Sequence, residues 1–411
     1  MTATAPIVTP APTSTEASTA AKGVLINEHS RLGSKQHSDG GWGLVPIQVR
    51  SARFASFDVN DFEAVSGFEL EWKHTPIDRI RPLLEDGVDG GRYPVNIEGE
   101  TVEWIERSDP RIGSVGKPEE RASASAWSAF DHALAVTITG EEHSTVTITR
   151  SSLGDAPRAA HTVITAEKHS AGTVVLLNRG DAMLSENVEI IVEDGAQLTI
   201  VTVQEWAADA IHLASHFARV GRDARLKHVA VSLGGSVVRL NPSVHLASEG
   251  GDIELFGAYF ADAGQHLEQQ VFVDHDAPNT KSRVTYKGAL QGQGAHTVWV
   301  GDVLIRQSAS GTDSYEQNRN LLLTEGTRAD SVPNLEIETG DIAGAGHASA
   351  SGRFDDEQLF YLQARGISEE EARRLVVLGF LSEIVQKIGS PALETHLHSA
   401  IEAELARGKA E

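Results

Sequence analysis

From about Ala122 to Ala345 this chain runs through short stretches of alternating apolar and polar residues, with almost no helical signal between them. Segments such as TVTITR (145–150), HTVITA (161–166), VEIIVEDGAQLTIVTV (188–203), SRVTYKGAL (282–290) and HTVWVGDVLIR (296–306) all have a period of two. That period sends successive side chains to opposite faces of an extended strand. Glycine-led phrases recur among them at Gly195 (GAQLTIV), Gly221 (GRDARLKHV) and Gly251 (GDIELF), 26 and then 30 residues apart. A repeat of that length suits a solenoid in which each turn adds two or three short strands to stacked parallel sheets. The expected fold is mainly β, a right-handed parallel β-helix over 122–345. A sandwich or barrel would use comparable strands, and periodicity alone does not separate these folds.

The flanks read differently. Residues 1–22, rich in Ala, Thr, Pro and Ser, have neither a basic stretch nor an apolar stretch of the kind found in secretory signals, and are expected to be a disordered tail. Residues 23–121 form a small N-terminal region with short helices. Within it, 61–86 shows a helical face followed by a helix start at Thr75-Pro76, with Trp72 as a packing residue. Residues 346–411 are expected to be helical, with the strands ending near His347. Ser368 and Glu371 have the spacing of a capping box. Behind them Ala372, Leu375, Leu378, Leu381, Val385 and Ile388 mark one apolar face. Gly389 closes that helix, and Ser390-Pro391 opens another with Leu393, Leu397, Ile401 and Leu405 before Gly408. Two such helices need a surface to cover, and the open end of the solenoid is the expected one.

Charge and cysteine content narrow the chemistry. Lys and Arg number 35 against 58 Asp and Glu, a formal charge of −23, which repels a phosphate backbone or an anionic membrane surface. No run of about 18 apolar residues exists to span a bilayer, and the expected location is the cytoplasm. There is no cysteine, so disulfides and any cluster or zinc site built on this chain's own thiolates are excluded.

His347, flanked by small residues between extended and helical patterns, is the leading candidate for a metal ligand. Other candidates are weaker. His212 and His216 share a face if IHLASHFARV is a strand, but then stand about 13 Å apart, too far to share one ion. His396 and His398 lie two apart on a helix, face different ways and are expected to be solvated. Asp252, Glu254, Asp274 and Asp276 could serve a β-helix carbohydrate enzyme, yet alternating acids on strands are usually the wet face. No G-x-x-x-x-G-K-[ST] phrase occurs, so ATP hydrolysis would belong to a partner. The glycine-rich stretch 288–296 is followed by no helical pattern and reads as a solenoid turn.

Four phrases carry a family resemblance: ELEWKHTP (Glu69 to Pro76), DSVPNLEI (Asp330 to Ile337), GHASASG (Gly346 to Gly352) and DDEQLFYLQARGI (Asp355 to Ile367). Together they resemble the SufB/SufD family of iron–sulfur cluster assembly scaffolds, which have a β-helix core. Some SufD members carry a cysteine where this chain has Ala345, so any role for that thiol is absent here. SufB-type paralogues carry a cysteine at the position of Thr327, and that difference makes the resemblance closer to SufD.

That resemblance implies a non-catalytic scaffold subunit that pairs with a SufB-like protein through edge strands at the C-terminal end of the two solenoids. It also implies that a SufC-like ATPase docks on the C-terminal helices, for which Phe360, Tyr361, Arg365, Leu375 and Phe380 are the expected contact residues. In the family's scheme, ATP-driven closure of two such ATPases opens the assembly site between the scaffolds. His347 would be this chain's ligand there, beside a cysteine from SufB, and the cluster or iron would be held only transiently and only in the complex. A flavin in the complex is left open, and the chain alone could pair with a second copy. A purely structural partner that stabilises SufB without touching the cluster is the alternative.

Overall fold

A computed structural model describes residues 53–407 except 86, 100 and 354–355, together with two short strands nearer the N-terminus. Those strands, β1 (Lys35–Gln36) and β2 (Leu44–Val45), pair antiparallel within a separate unit. The tail expected over 1–22 lies outside the described residues.

The second unit begins with α1 (Ile77–Ile80), β3 (Asn96–Glu98), β4 (Val102–Glu106) and α2 (Arg121–Ala129). Sixteen longer strands follow. They are β5 (His132–Ile138), β6 (Ser144–Ser151), β7 (Gly154–Ala166), β8 (Ala171–Gly180), β9 (Ala182–Val192), β10 (Gln197–Trp206), β11 (Ile211–Val220) and β12 (Arg225–Ser232). After these come β13 (Val237–Leu246), β14 (Asp252–Ala261), β15 (His266–His275), β16 (Lys281–Leu290), β17 (His296–Ile305), β18 (Thr312–Leu322), β19 (Arg328–Ile337) and β20 (Ile342–Arg353). The chain closes with α3 (Asp356–Gln363), α4 (Glu369–Val385) and α5 (Pro391–Arg407).

The strands build a β-solenoid with two strands per turn. Odd-numbered strands from β5 to β19 stack parallel into one 9-stranded sheet begun by β4, and even-numbered strands from β6 to β20 stack into the other, begun by β3. β3 and β4 each join antiparallel, closing the N-terminal end. Inward residues of both sheets mesh into one long apolar core containing Leu134, Ile164, Leu184, Ile200, Leu226, Leu255, Val284 and Trp299. Within the Gly288–His296 stretch, residues 291–295 form the turn between β16 and β17 and the rest is strand.

The outward faces of the sheets are apolar too, which is why so many strands read as nearly continuous Val, Ile and Leu. On the even sheet, Val201, Val203, Val229, Val231, Phe256 and Phe260 pack against Val377, Leu381, Ile384, Leu397 and Ile401 of α4 and α5. The C-terminal helices α4 and α5 thus cover a sheet face, and among the described residues β19 and β20 keep free edges, contrary to the expectation that the helices cap the end. On the odd sheet, α2 and the segment around Trp72 supply the cover. The helix after Thr75-Pro76 forms, but the preceding stretch from 61 holds only turns and the end of one 3-10 turn at Val59–Asp61 instead of a helix.

Three C-terminal helices are present where the spacing suggested two. Leu397, Ile401 and Leu405 are buried as their spacing implies, whereas on α4 the covered face is Ala372, Val377, Leu381, Ile384 and Val385. Leu375, expected on that face, is 41% exposed. Ser368 Oγ accepts from the Glu371 backbone N–H at 3.2 Å. The reciprocal half of the expected capping box does not form, because the Glu371 carboxylate sits 2.7 Å from Arg374. Ser368→Ala should cost about 1 kcal/mol, checked by chemical denaturation; an unchanged midpoint would mean the cap contributes nothing.

Candidate functional site

The stacking register converts distant sequence positions into columns along the solenoid interior. One column on the even sheet runs Val146, Val174, Ile200, His228, Leu255, Val284, Glu316 and His347. The lower part of this column is largely aliphatic, but its last two members are ionisable groups at the open end. His347 lies in the middle of β20, not at a strand-to-helix junction, because the last strand continues through Gly344 and Gly346 to Arg353. Among the described residues β20 pairs only with β18, and β19 only with β17, so both present a free edge at this end of the solenoid.

The His347 side chain is 44% exposed, while that of Glu316, directly beneath it, is 1% exposed. His347 Nδ1 stands 3.8 Å from Glu316 Oε1. Neither carboxylate oxygen of Glu316 has a hydrogen-bond partner, and neither does the indole N–H of the facing Trp299. Burial, reinforced by the negative charge of Asp302, pushes the Glu316 carboxyl up to about 8. A glycine is required opposite: a Cβ on Gly301 would lie 2.4 Å from Glu316 Oε2 and 2.3 Å from the Trp299 ring. Glu316 had no sequence signal beyond its place in an alternating strand.

The next inward position is fully satisfied by contrast. Asn318 Nδ2 donates to Tyr259 Oη at 2.7 Å, Tyr259 Oη donates to Asn320 Oδ1 at 2.9 Å, and Asn320 Nδ2 donates to Asn318 Oδ1 at 2.8 Å. Ser331 Oγ, from the VPN-containing strand β19, donates to Asn318 Oδ1 at 2.5 Å. This network ties the last turn to the one beneath it.

The other histidines fall elsewhere. His212 and His216 do share the inward face of β11, each with its own partner: His212 Nε2 is 2.8 Å from Glu186 Oε1, and His216 Nδ1 is 3.0 Å from His228 Nε2. Glu186 also accepts from Arg150 at 2.7 Å, both side chains being 1% exposed. Burial alone would raise the Glu186 carboxyl, but Arg150 and then His212 hold it well below the carboxylate range. The His396 side chain is 40% exposed, and its Nε2 also lies 2.7 Å from Glu205 on the even sheet. His398 contacts Ser382 at 3.0 Å.

Three of the four candidate acids, Asp274, Glu254 and Asp276, are engaged in ion pairs or hydrogen bonds. Asp274 holds Arg306 by two bonds, at 2.7 and 2.9 Å, Glu254 lies 3.8 Å from Lys227, and Asp276 accepts from Ser308 at 2.9 Å. Among the described residues no group of three or more His, Asp and Glu side chains is placed to hold a metal ion. A cation at His347 would therefore need donors from a second chain or from solvent.

On the C-terminal helices, Phe360 is 72%, Tyr361 54% and Leu375 41% exposed. The Arg365 guanidinium stacks 4.2 Å from the centre of the Tyr361 ring. Phe380 is only partly exposed and lies under Lys287 Nζ at 4.7 Å. Ala345 sits on the inner side of β20 opposite Ser314, and Thr327 lies in the turn before β19 with its hydroxyl donating to Thr324 O at 3.0 Å. Among the described residues no helix is long and apolar enough to cross a membrane.

Comparison with known proteins agrees with this architecture. Residues 147–380, from β6 into α4, match the family model described as SUF system FeS cluster assembly, SufBD core domain. An iron-sulfur cluster assembly SufBD family protein of Mycobacterium tuberculosis (strain H37Rv) is 50% identical over 365 residues, covering 86% of this chain and 92% of the relative. A counterpart in Mycobacterium leprae is also 50% identical, over 86% and 93% of the two chains. A second M. leprae protein of the same description is 30% identical over 193 residues, which cover 47% of this chain and 22% of that longer one.

Proposed function

Because the chain belongs to the SufBD family of iron–sulfur cluster assembly proteins, we propose that it is the SufD-type subunit of a cytoplasmic assembly complex, a scaffold with no catalysis of its own. It pairs with a SufB-type chain through the free edges of β19 and β20, where unpaired backbone groups can continue a sheet into a partner. A SufC-type ATPase docks on the C-terminal helices, a role supported by the exposed Phe360, Tyr361 and Leu375. Hydrolytic chemistry by the candidate acids finds no support, since Asp274, Glu254 and Asp276 are already engaged by basic groups or a hydroxyl.

The observation that carries this reading is the placement of His347 on the outermost strand of the open end, half exposed above a buried carboxylate. With no cysteine in the chain, thiolates for a nascent cluster come from the partner, and a neutral imidazole completes the set. The cluster is cargo that passes through the interface. SufD identity is further supported by Thr327, which stands where SufB-type chains carry a cysteine.

His347→Ala should leave the fold and the complex intact, because the half-exposed ring contributes little packing, and should reduce cluster formation about tenfold or more. The measurement is cluster content of reporter proteins in cells lacking other cluster-building systems. Normal cluster content in that variant would remove the ligand role. If deletion of the whole chain then still cost SufB its solubility, the purely structural partner would be the better account.

A further inference from the structure

We propose that Glu316 is a second donor at this site, so that the last two turns of the solenoid offer ferrous iron an imidazole nitrogen from His347 and a carboxylate oxygen from Glu316. This deepens the scaffold reading and rests on it.

The argument is geometric. Glu316 is 1% exposed, and no protein group hydrogen-bonds either of its oxygens. A buried polar group without a partner costs about 1–3 kcal/mol, and more when charged. Nothing on the column below can offset this, because its neighbour there is Val284. The indole N–H of Trp299 is likewise unpartnered, so the ring facing Glu316 is packed beside the carboxylate without bonding to it. Replacing Gly301 with any larger residue would fill the space that the carboxylate occupies. Only the side toward His347 and the open end is left.

Two ligands each about 2.1 Å from one ion stand roughly 3.0–3.5 Å apart. Glu316 Oε1 and His347 Nδ1 are 3.8 Å apart, a gap that a small rotation of the half-exposed imidazole closes. Nitrogen and oxygen donors suit a divalent first-row cation, and two donors leave the remaining positions for thiolates or water. Direct pairing of the two side chains after the same rotation is the competing account, and it predicts no bound iron in the titration below.

The test uses the full chain and ferrous iron alone, titrated anaerobically by calorimetry, with Glu316→Gln and His347→Ala beside the natural sequence. Gln keeps the shape of the side chain, and thermal melts establish that the variant folds. The expected result is one bound iron in the natural chain and about a tenfold or greater loss of affinity in each variant. Equal affinity of natural chain and Glu316→Gln, or no iron binding by the natural chain, overturns the assignment. Cluster formation in cells separates this from the scaffold reading. A defect in His347→Ala with a normal Glu316→Gln removes Glu316 and keeps the scaffold; normal clusters in both variants remove the ligand reading as a whole.

Discussion

Arg239→Leu is expected to lower the unfolding free energy by about 3–5 kcal/mol, the range for removing one partner from a buried ion pair. Arg239 is 1% exposed and sits 3.2 Å from Glu268 and 3.6 Å from Glu120, whose side chains are 0% and 6% exposed. Its guanidinium stacks 4.1 Å from the centre of the Trp72 ring and donates to the Glu71 carbonyl at 2.9 Å. One side chain thus clamps the ELEWKHTP phrase onto the outer face of the odd sheet. Thr75 Oγ1 donates to the same Glu268 at 2.8 Å. Leucine would fill part of the volume and leave two carboxylates in a low-dielectric site with reduced compensation. Burial alone raises the Glu268 carboxyl; Arg239, followed by His266 and Thr75, is what holds it well below the carboxylate range. Adding Glu268→Gln to Arg239→Leu should recover part of the loss. The control is Arg222→Leu, which breaks an exposed pair with Glu249 and should change stability by less than about 1 kcal/mol. Denaturant titration followed by circular dichroism reads all three; an Arg239→Leu loss no larger than the control would mean that the clamp is dispensable.

The second large effect is acid destabilisation beginning near pH 6.5, well above the carboxylate range. His216 is fully enclosed and burial lowers it to about 4; burial lowers His275 to about 3 and takes His228 well below its ordinary 6.5. A histidine whose folded pKa is depressed binds protons more readily unfolded. Its stabilising contribution is therefore present above 6.5 and lost as pH falls toward 4. A drop from 6.5 to about 4 corresponds to about 3 kcal/mol for His216 alone at the acid end. Glu186 and Glu268, held low by Arg150 and Arg239, extend the loss below 4.5.

Glu316 acts with the opposite sign. Its raised carboxyl contributes stability below its ordinary 4.5 that is lost as pH rises through about 8, so the isolated chain should be most stable at about pH 6.5–7 and less stable toward about pH 8. Thermal melts across pH 4–9 test both arms. His228→Leu, which continues the aliphatic column between Ile200 and Leu255, should flatten the slope between pH 4 and 6.5. A midpoint at pH 5 equal to that at pH 7 would sink this account.

Much of the architecture was legible because a solenoid is a local code repeated. Alternation in TVTITR or SRVTYKGAL specifies a strand, and glycines at Gly195, Gly221 and Gly251 mark successive turns. The helix bearing Leu397, Ile401 and Leu405 was equally plain, since one face alone is apolar. Of the face expected on α4, Ala372, Leu381 and Val385 are buried but Leu375 is not, because Leu375 and Val377 are equally apolar and only packing against the even sheet selects between them. The same ambiguity hid the site of the C-terminal helices. Strands buried on both faces present outward valines that need a cover, but a continuous apolar run does not say which face meets which element.

Sequence alone determined the class of fold, the lack of any thiol ligand, and the choice of His347 as a candidate, each of which depends on residue type and short-range spacing. Tertiary structure alone decided that Glu316 stands beneath His347, that His216 meets His228, and that Arg239 meets Trp72. The reason is register. The partner of a given residue lies one full turn away, and that distance varies with the loops, from 26 residues between His212 and Val238 to 32 between Val284 and Glu316. A shift of one residue in a strand sends every side chain to the other face. Local pattern fixes the two faces of each strand, but only the closed, stacked coil determines which residue on a face meets which.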